Sequence, residues 1–157
     1  MSERFTINLD ELEFNGEAGL LTNVRGRCIV ANGCFDIIHP GHLSLLASLD
    51  TLAYQMKLRP IVAMNSDASV RRLKGDARPI VPQESRSLLI NSLKWPLTVV
   101  LFDEDTPQRL MDVLQPAAVL KGSEYPKEAV IRWRDSQVVT VDMVPGWSTS
   151  RIVGDTR

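Results

Sequence analysis

RCIVANGCFDIIHPGHLSLL, residues 27–46, holds the change of period on which the fold turns. Cys28 to Asn32 form a short run rich in β-forming residues that stops at Gly33, the pattern of a buried strand. Beyond Pro40 the apolar positions Leu43, Leu45, Leu46, Leu49, Leu52, Ala53 and Met56 recur every three or four residues, the pattern of a helix with one buried face. A strand, a polar loop and a helix in that order open an alternating α/β chain.

The remaining sequence repeats the alternation. Apolar runs at 60–65 (PIVAMN), 97–102 (LTVVLF), 117–120 (AAVL) and 138–141 (VVTV) read as four more strands. Helices are expected from Pro82 to about Lys94, from Thr106 as cap and Pro107 to near Leu114, over 126–134, and from Thr149 with Ser148 as cap. Asn65, Ser66, Asp67 and Ser69 supply turn and cap residues before a short basic segment. The pattern predicts an α/β fold: one Rossmann-like three-layer sandwich over 27–157 around a mainly parallel five-stranded sheet. Residues 1–26 have no clean period and read as an N-terminal arm or short helix. In such sheets ligands sit beyond the carboxyl ends of the strands, where strand order switches. The polar and glycine residues cluster there, at 32–42, 65–74, 103–105, 121–125 and 146–151.

Bulk properties narrow the function classes. A chain of 157 residues suits one domain with a sizeable core, and 44% hydrophobic with 24% charged residues is ordinary for a globular protein. A formal net charge of -1 and the lack of aromatics interleaved with basic residues argue against a nucleic-acid partner. The local cluster Arg71, Arg72, Lys74 and Arg78 suits a compact anion or simply solvent. Cys28 and Cys34 are too few for a disulfide framework and lack zinc-finger spacing, so reduced thiols are expected. MSERFTINLDELEF carries acidic residues where a secretion signal needs an apolar run, and no stretch reaches the ~20 apolar residues of a membrane span. The expectation is a soluble cytoplasmic protein without a membrane partner.

His39 and His42, the only histidines, lie three apart where the first helix begins, so both rings can point to one side. Pro40 fixes φ, and Gly41 lets the backbone approach a ligand. Unpaired first-turn amides favour a phosphate there. Imidazoles beside an anion lean toward the charged form, which suits charge stabilisation better than base catalysis. Alone, a His-x-x-His pair also reads as a helix cap or a weak metal site, zinc being the poorer version because no third ligand stands out. Ser148, Thr149 and Ser150 at the last helix start form a second anion cradle, since capping explains one hydroxyl and not three.

ANGCFDIIHPGHLSLL resembles the signature of the HxGH cytidylyltransferase-like superfamily, which includes glycerol-phosphate cytidylyltransferase, pantetheine-phosphate adenylyltransferase and the adenylyltransferase of ADP-heptose synthase. VAMNSDASVRRLKGDARPIVP, FDEDTPQRLMDVLQPAAVLKGSEY and PGWSTSRIV are similar to the heptose type, in the same order, over most of 27–153. The resemblance implies that His39 and His42 bind the triphosphate and stabilise the transition state, with Lys74 over the reacting phosphates. It implies a nucleotide-binding loop of Asn32, Gly33, Cys34, Phe35 and Gly41, although Phe35 reads as core packing more than base stacking. Gly33 either avoids a collision with the nucleotide or serves a simple turn. Arg86 is expected to face the nucleotide, Lys121 and Gly122 to pass against the base or ribose, and Ser148, Thr149 and Ser150 to hold the triphosphate. Asp36, Asn65, Asp67 and Arg78 are read as substrate contacts, with loop organisation the alternative for Asp36 and an Asx turn the alternative for Asn65 and Asp67.

The implied activity is Mg²⁺-dependent transfer of AMP from ATP to a sugar 1-phosphate of the D-glycero-D-manno-heptose 1-phosphate type, releasing pyrophosphate. Alternatives are a cytidylyltransferase using CTP and glycerol phosphate or another small phosphorylated alcohol or sugar, and a nucleotide-binding module without turnover. A homodimer is a further expectation, with Tyr54, Trp95, Trp133 or the arm as contacts or as core. The chain departs from the heptose pattern in a longer helix after the histidines, a shorter GSEYPKEAVIRWRD region, and Trp147, which stands where it narrows the pocket. These departures bear on the acceptor more than on the chemistry.

Overall fold

The computed structural model describes residues 6–14 and 19–154. In chain order the elements are β1 (Thr6–Asn8), α1 (Leu9–Phe14), α2 (Leu20–Val24), β2 (Cys28–Gly33), α3 (Pro40–Met56), β3 (Arg59–Asn65), α4 (Asp67–Lys74) and α5 (Gln83–Asn91). Then come β4 (Thr98–Phe102), α6 (Gln108–Leu114), β5 (Ala118–Gly122), a 3-10 turn at Lys127–Ala129, β6 (Gln137–Val141) and α7 (Thr149–Ile152).

Alternate side chains of β2 leave the sheet on opposite faces, as a strand's period of two requires. Cys28 and Val30 join one apolar cluster with Leu12, Val24, Leu110 and Leu114 from α1, α2 and α6. Ile29 and Ala31 join the other, with Leu46, Leu49 and Ala53 of α3 and Ile90 of α5. Both faces are therefore covered, giving the expected three layers. Burial pushes the Cys28 thiol up to about 12, so it behaves as a small hydrophobe.

The sheet has six strands in the order β1-β4-β3-β2-β5-β6, with every pair parallel. The sequence pattern gave five. The sixth, β1, comes from the N-terminal arm and pairs Thr6, Ile7 and Asn8 with Val99, Val100 and Leu101. After β2 the chain adds β3 and β4 on one side, then crosses to add β5 and β6 on the other. The crevice between the carboxyl ends of β2 and β5 is thus the switch point.

Three local expectations change. The 126–134 segment forms only the short 3-10 turn, because Val130, Ile131 and Trp133 are laid down on the α1/α2/α6 side of the core instead of lining one helical stripe. Thr106 does not cap α6, whose first turn is entered from Pro107 with no side-chain cap. The basic segment after Ser66 is the helix α4, capped by the Ser66 hydroxyl, which accepts from the Ser69 amide. Trp95 and Trp133 pack against the core, whereas Tyr54 is exposed. Among the described residues no helix is long and apolar enough to cross a membrane.

Candidate active site

A cavity of about 300 Å³ lies at the switch point. The loop after β2 contributes Asn32, Gly33, Cys34, Phe35 and Asp36, and α3 contributes His42 with its cap His39. Lys74 at the end of α4 and Arg78 beyond it form one side. Lys121 and Gly122 at the end of β5, and Ser148, Thr149 and Ser150 at the start of α7, form the other. Residues far apart in sequence thus meet in one place because parallel strands all deliver their carboxyl ends to the same edge.

His39 is the N-cap of α3. Its Nδ1 accepts hydrogen bonds from the amides of Gly41 at 3.1 Å and His42 at 3.3 Å. A nitrogen that accepts carries no proton, so the neutral ring holds its proton on Nε2. This changes the expectation of free first-turn amides: Pro40 has none, and the next two are bound to His39. The positive end of the helix therefore reaches the cavity through an imidazole, polarising its remaining N–H. Gly41 has a matching reason, because a Cβ there would lie 2.9 Å from His39 Cε1.

The His42 ring stacks on His39 with centroids 3.8 Å apart and planes 21° from parallel. Phe35 tilts against His42 at 5.1 Å, with a left-handed φ of 49° and only 2% exposure. A Cβ on Gly33 would press on the Phe35 ring at 3.2 Å, so in this structure Gly33 makes room for a core aromatic. Burial pushes both imidazoles below their usual value, His42 to about 4 with the neighbouring His39 as a second cause. Burial thus favours the neutral form of both rings, whereas an adjoining phosphate, the case the sequence reading considered, favours the charged form.

Two buried polar atoms of this wall, Asn32 Oδ1 and His42 Nδ1, make no hydrogen bond of full geometry among the described residues, although the Ile37 backbone lies close enough to the His42 imidazole to raise it. Such atoms ordinarily face water or a ligand. Lys121 is mostly buried, and that burial lowers its ammonium. Its Nζ donates to Asn32 O at 3.4 Å and lies 5.2 Å from the Tyr125 ring centroid. Ser148 Oγ caps α7 by accepting from the Arg151 amide, leaving the Thr149 and Ser150 hydroxyls for the cavity. Burial raises the Cys34 thiol, against the pull of Lys74, Arg86 and Arg78.

Five sequence-selected residues stand elsewhere or do other work, the first being Gly41, which does not line the cavity and instead makes room for the His39 ring. Arg86 is 0% exposed and does not face the cavity. Its guanidinium donates to the carbonyls of Val81, Cys34 and Asn65 and pairs with Asp67 Oδ1 at 2.6 Å. Those bonds fasten the loop after β2 to the ends of β3 and α4, so its donors are consumed beneath the cavity floor. Asn65 and Asp67 belong to that bracket, with Asn65 Nδ2 also donating to Ser69 Oγ at 3.0 Å. Asp36 lines the cavity, but its carboxylate is occupied by Arg78 Nε and the amides of Ile80 and Val81. Burial alone would raise it; the Val81 and Ile80 amides and Arg78 outweigh that and hold it below the usual carboxylate range.

A family model described as cytidylyltransferase-like matches residues 30–149, the span that carries all of the cavity's lining residues except Ser150. The chain belongs to that family. It is 42% identical over 132 residues to the bifunctional protein HldE of Gluconobacter oxydans (strain 621H), covering 81% of this chain and 27% of that protein. It is 38% identical over 156 residues to the bifunctional protein HldE of Hahella chejuensis (strain KCTC 2396), covering 96% and 30%. The chain thus spans about a quarter to a third of the length of these relatives. The fold is shared with the lipopolysaccharide core biosynthesis protein from Thermoplasma volcanium GSS1, at TM-score 0.55 and 21% identity over 75% of this chain and 98% of that one.

The cytidylyltransferase-like cavity also has lining residues that sequence reading did not select: Leu45, Glu124, Tyr125 and Met143. Glu124 and Tyr125 follow directly on Lys121 and Gly122, so the strand-end rule pointed to their loop without singling them out. Met143 carried no signal. Trp147, noted for its position, is 47% exposed at the rim.

Proposed function

We propose that this cavity transfers AMP from ATP to the phosphate of a sugar 1-phosphate, of the D-glycero-D-manno-heptose 1-phosphate type, and releases pyrophosphate. The observation that carries the reading is the stacked His39–His42 pair, with His39 locked so that its donor nitrogen is the free one. A phosphate oxygen of the acceptor attacks the α-phosphorus; a new P–O bond forms as the bond to the β-phosphate oxygen breaks, and that electron pair leaves with pyrophosphate. An ionised phosphate needs no base. The work left to the protein is alignment and stabilisation of charge on the α-phosphate oxygens.

His39 and His42 serve as preorganised donors, Lys74 spans the two phosphates, and Thr149 and Ser150 hold the pyrophosphate end. Lys121 and Gly122 lie on the base and ribose side. Among the described residues no three of His, Cys, Asp and Glu gather to cage an ion. Glu124 is the cavity carboxylate not committed to a backbone amide or guanidinium, so the donor set fits a Mg²⁺ that arrives with its triphosphate. When bound, that ion would supply charge neutralisation to the triphosphate. The heptose acceptor rests on the sequence resemblance and on the identity to proteins named HldE.

The test is a pyrophosphate-release screen crossing ATP, CTP, GTP and UTP with heptose 1-phosphate, glycerol phosphate, ribose phosphate and phosphopantetheine. Release with ATP and heptose 1-phosphate is the expected result. Release with CTP and glycerol phosphate would replace both substrates while keeping the chemistry. Nucleotide binding without release from any pair would leave a binding module.

A further inference from the structure

We infer that Asp36 is a positioning residue that holds Arg78 as the clamp for the acceptor's phosphate, and that Asp36 itself touches no substrate. The inference rests on the transfer reading above. Asp36 is 1% exposed, and its two oxygens are both taken: Oδ2 accepts from Arg78 Nε at 2.5 Å, and Oδ1 accepts from the amides of Ile80 at 2.8 Å and Val81 at 2.9 Å. One carboxylate from the loop after β2 therefore wraps the 78–81 segment around itself. A substrate hydroxyl would have to displace one of those bonds.

Arg78 is 8% exposed and lines the cavity. Its Nε is spent on Asp36, while Nη1 and Nη2 make no hydrogen bond among the described residues. Neither amino group is among the buried unpartnered atoms, so both remain accessible, and a planar fork with two free amino groups matches two oxygens of a phosphate. Lys121 is already engaged with Asn32 O, and Lys74 is an exposed point charge at a helix end. Among the described residues Arg78 is thus the one fixed, bidentate cation of this wall.

Topology says which phosphate it meets. Arg78 follows β3 and α4, on the β3 side of β2, whereas α7 follows β6 on the opposite side. A triphosphate running between the histidines and the Thr149 and Ser150 hydroxyls occupies the β5/β6 side. The β3 side is left for the second substrate, and its chemistry is that of a phosphate monoester dianion.

Two readouts test this on Asp36→Asn, Arg78→Ala, Arg78→Lys and the Asp36→Asn/Arg78→Ala double variant. The first is thermal stabilisation by inorganic phosphate and, separately, by ATP. Phosphate should raise the Tm of the wild type and of none of the variants, while ATP stabilises all of them. The second is pyrophosphate release with KM measured for each substrate. Asp36→Asn and Arg78→Ala should each raise acceptor KM at least ~10-fold with ATP KM within about twofold, and Asp36→Asn should add nothing in the Arg78→Ala background. Added guanidinium should restore part of the loss in Arg78→Ala. Equal phosphate stabilisation of all proteins, additive effects in the double variant, or parallel rises in both KM values would overturn the inference. If the wild type releases no pyrophosphate, the transfer reading falls and the phosphate arm still decides the role of Arg78.

Discussion

The wall of the cavity built after β2 and the wall built after β5 and β6 are held in different ways. On the first, Asp36 and Arg78, with Arg86 beneath them, are at most 8% exposed, and their hydrogen bonds run to three separate backbone segments, at Cys34, at Asn65 and at Ile80 with Val81. On the second, Tyr125 and Trp147 are 52% and 47% exposed, and Glu124 stands in solvent. Preorganised donors lower a barrier only if they do not have to move when charge develops, so a transfer centre belongs on the bonded wall. An exposed rim adapts to different substrates at little cost to the fold. The proposed transfer centre thus lies on the wall whose backbone is fastened by buried side chains, and the exposed rim is the part free to adapt.

The contrast can be broken first through stability. Arg86→Met strips partners from three carbonyls and Asp67, and should lower unfolding free energy by about 3–5 kcal/mol in urea denaturation. Trp147→Ala and Tyr125→Ala should stay within about 0.5 kcal/mol. Equal losses on the two walls would end the distinction. On activity, His42→Ala should reduce turnover at least ~10²-fold in a pyrophosphate-release assay, with ATP still bound.

A pH series sharpens the same point. Burial holds His42 at about 4 in the folded chain, below its ordinary 6.5. Below 6.5 the unfolded chain takes up a proton that the folded chain refuses, so stability falls as pH drops from 6.5 toward 4 and levels off beneath it. The loss should be on the order of 3 kcal/mol, read from melts between pH 4 and 8, and His42→Gln should flatten it. Asp36 works in the opposite sense: its lowered carboxyl keeps contributing stability above its ordinary 3.8, and the contribution goes only as pH falls through the still lower folded value. The smallest effect is expected at the rim, where Trp147→Ala should leave kcat within about threefold and change KM for ATP rather than for the acceptor.

The alternation after residue 27 was legible because each strand and helix carries its own period, and the histidine pair because its spacing places both rings at one helix start. β1 was not, since three residues, Thr6, Ile7 and Asn8, have no period of their own and become a strand only by pairing with β4. Residues 126–134 misled because Val130, Ile131 and Trp133 suit a helix by composition yet are used as an irregular cover over the core. Arg86 was misplaced for a related reason. An arginine near a phosphate site suggests a phosphate contact, and only tertiary structure reveals that four internal acceptors have taken its donors. The tautomer of His39 was also invisible, because it depends on two amides turning toward the ring.

The central claim is that His39 acts as a fixed donor in nucleotidyl transfer, not as a cap alone. Asparagine can keep the cap, since its side-chain oxygen accepts the same amides, while removing the ring N–H. The decisive measurement is the rate of pyrophosphate release by the wild type and His39→Asn, with ATP affinity and Tm determined on both. The account predicts a wild type that turns over and a variant that stays folded, binds ATP and is slower by at least ~10²-fold. A variant whose rate matches that of the wild type would contradict it.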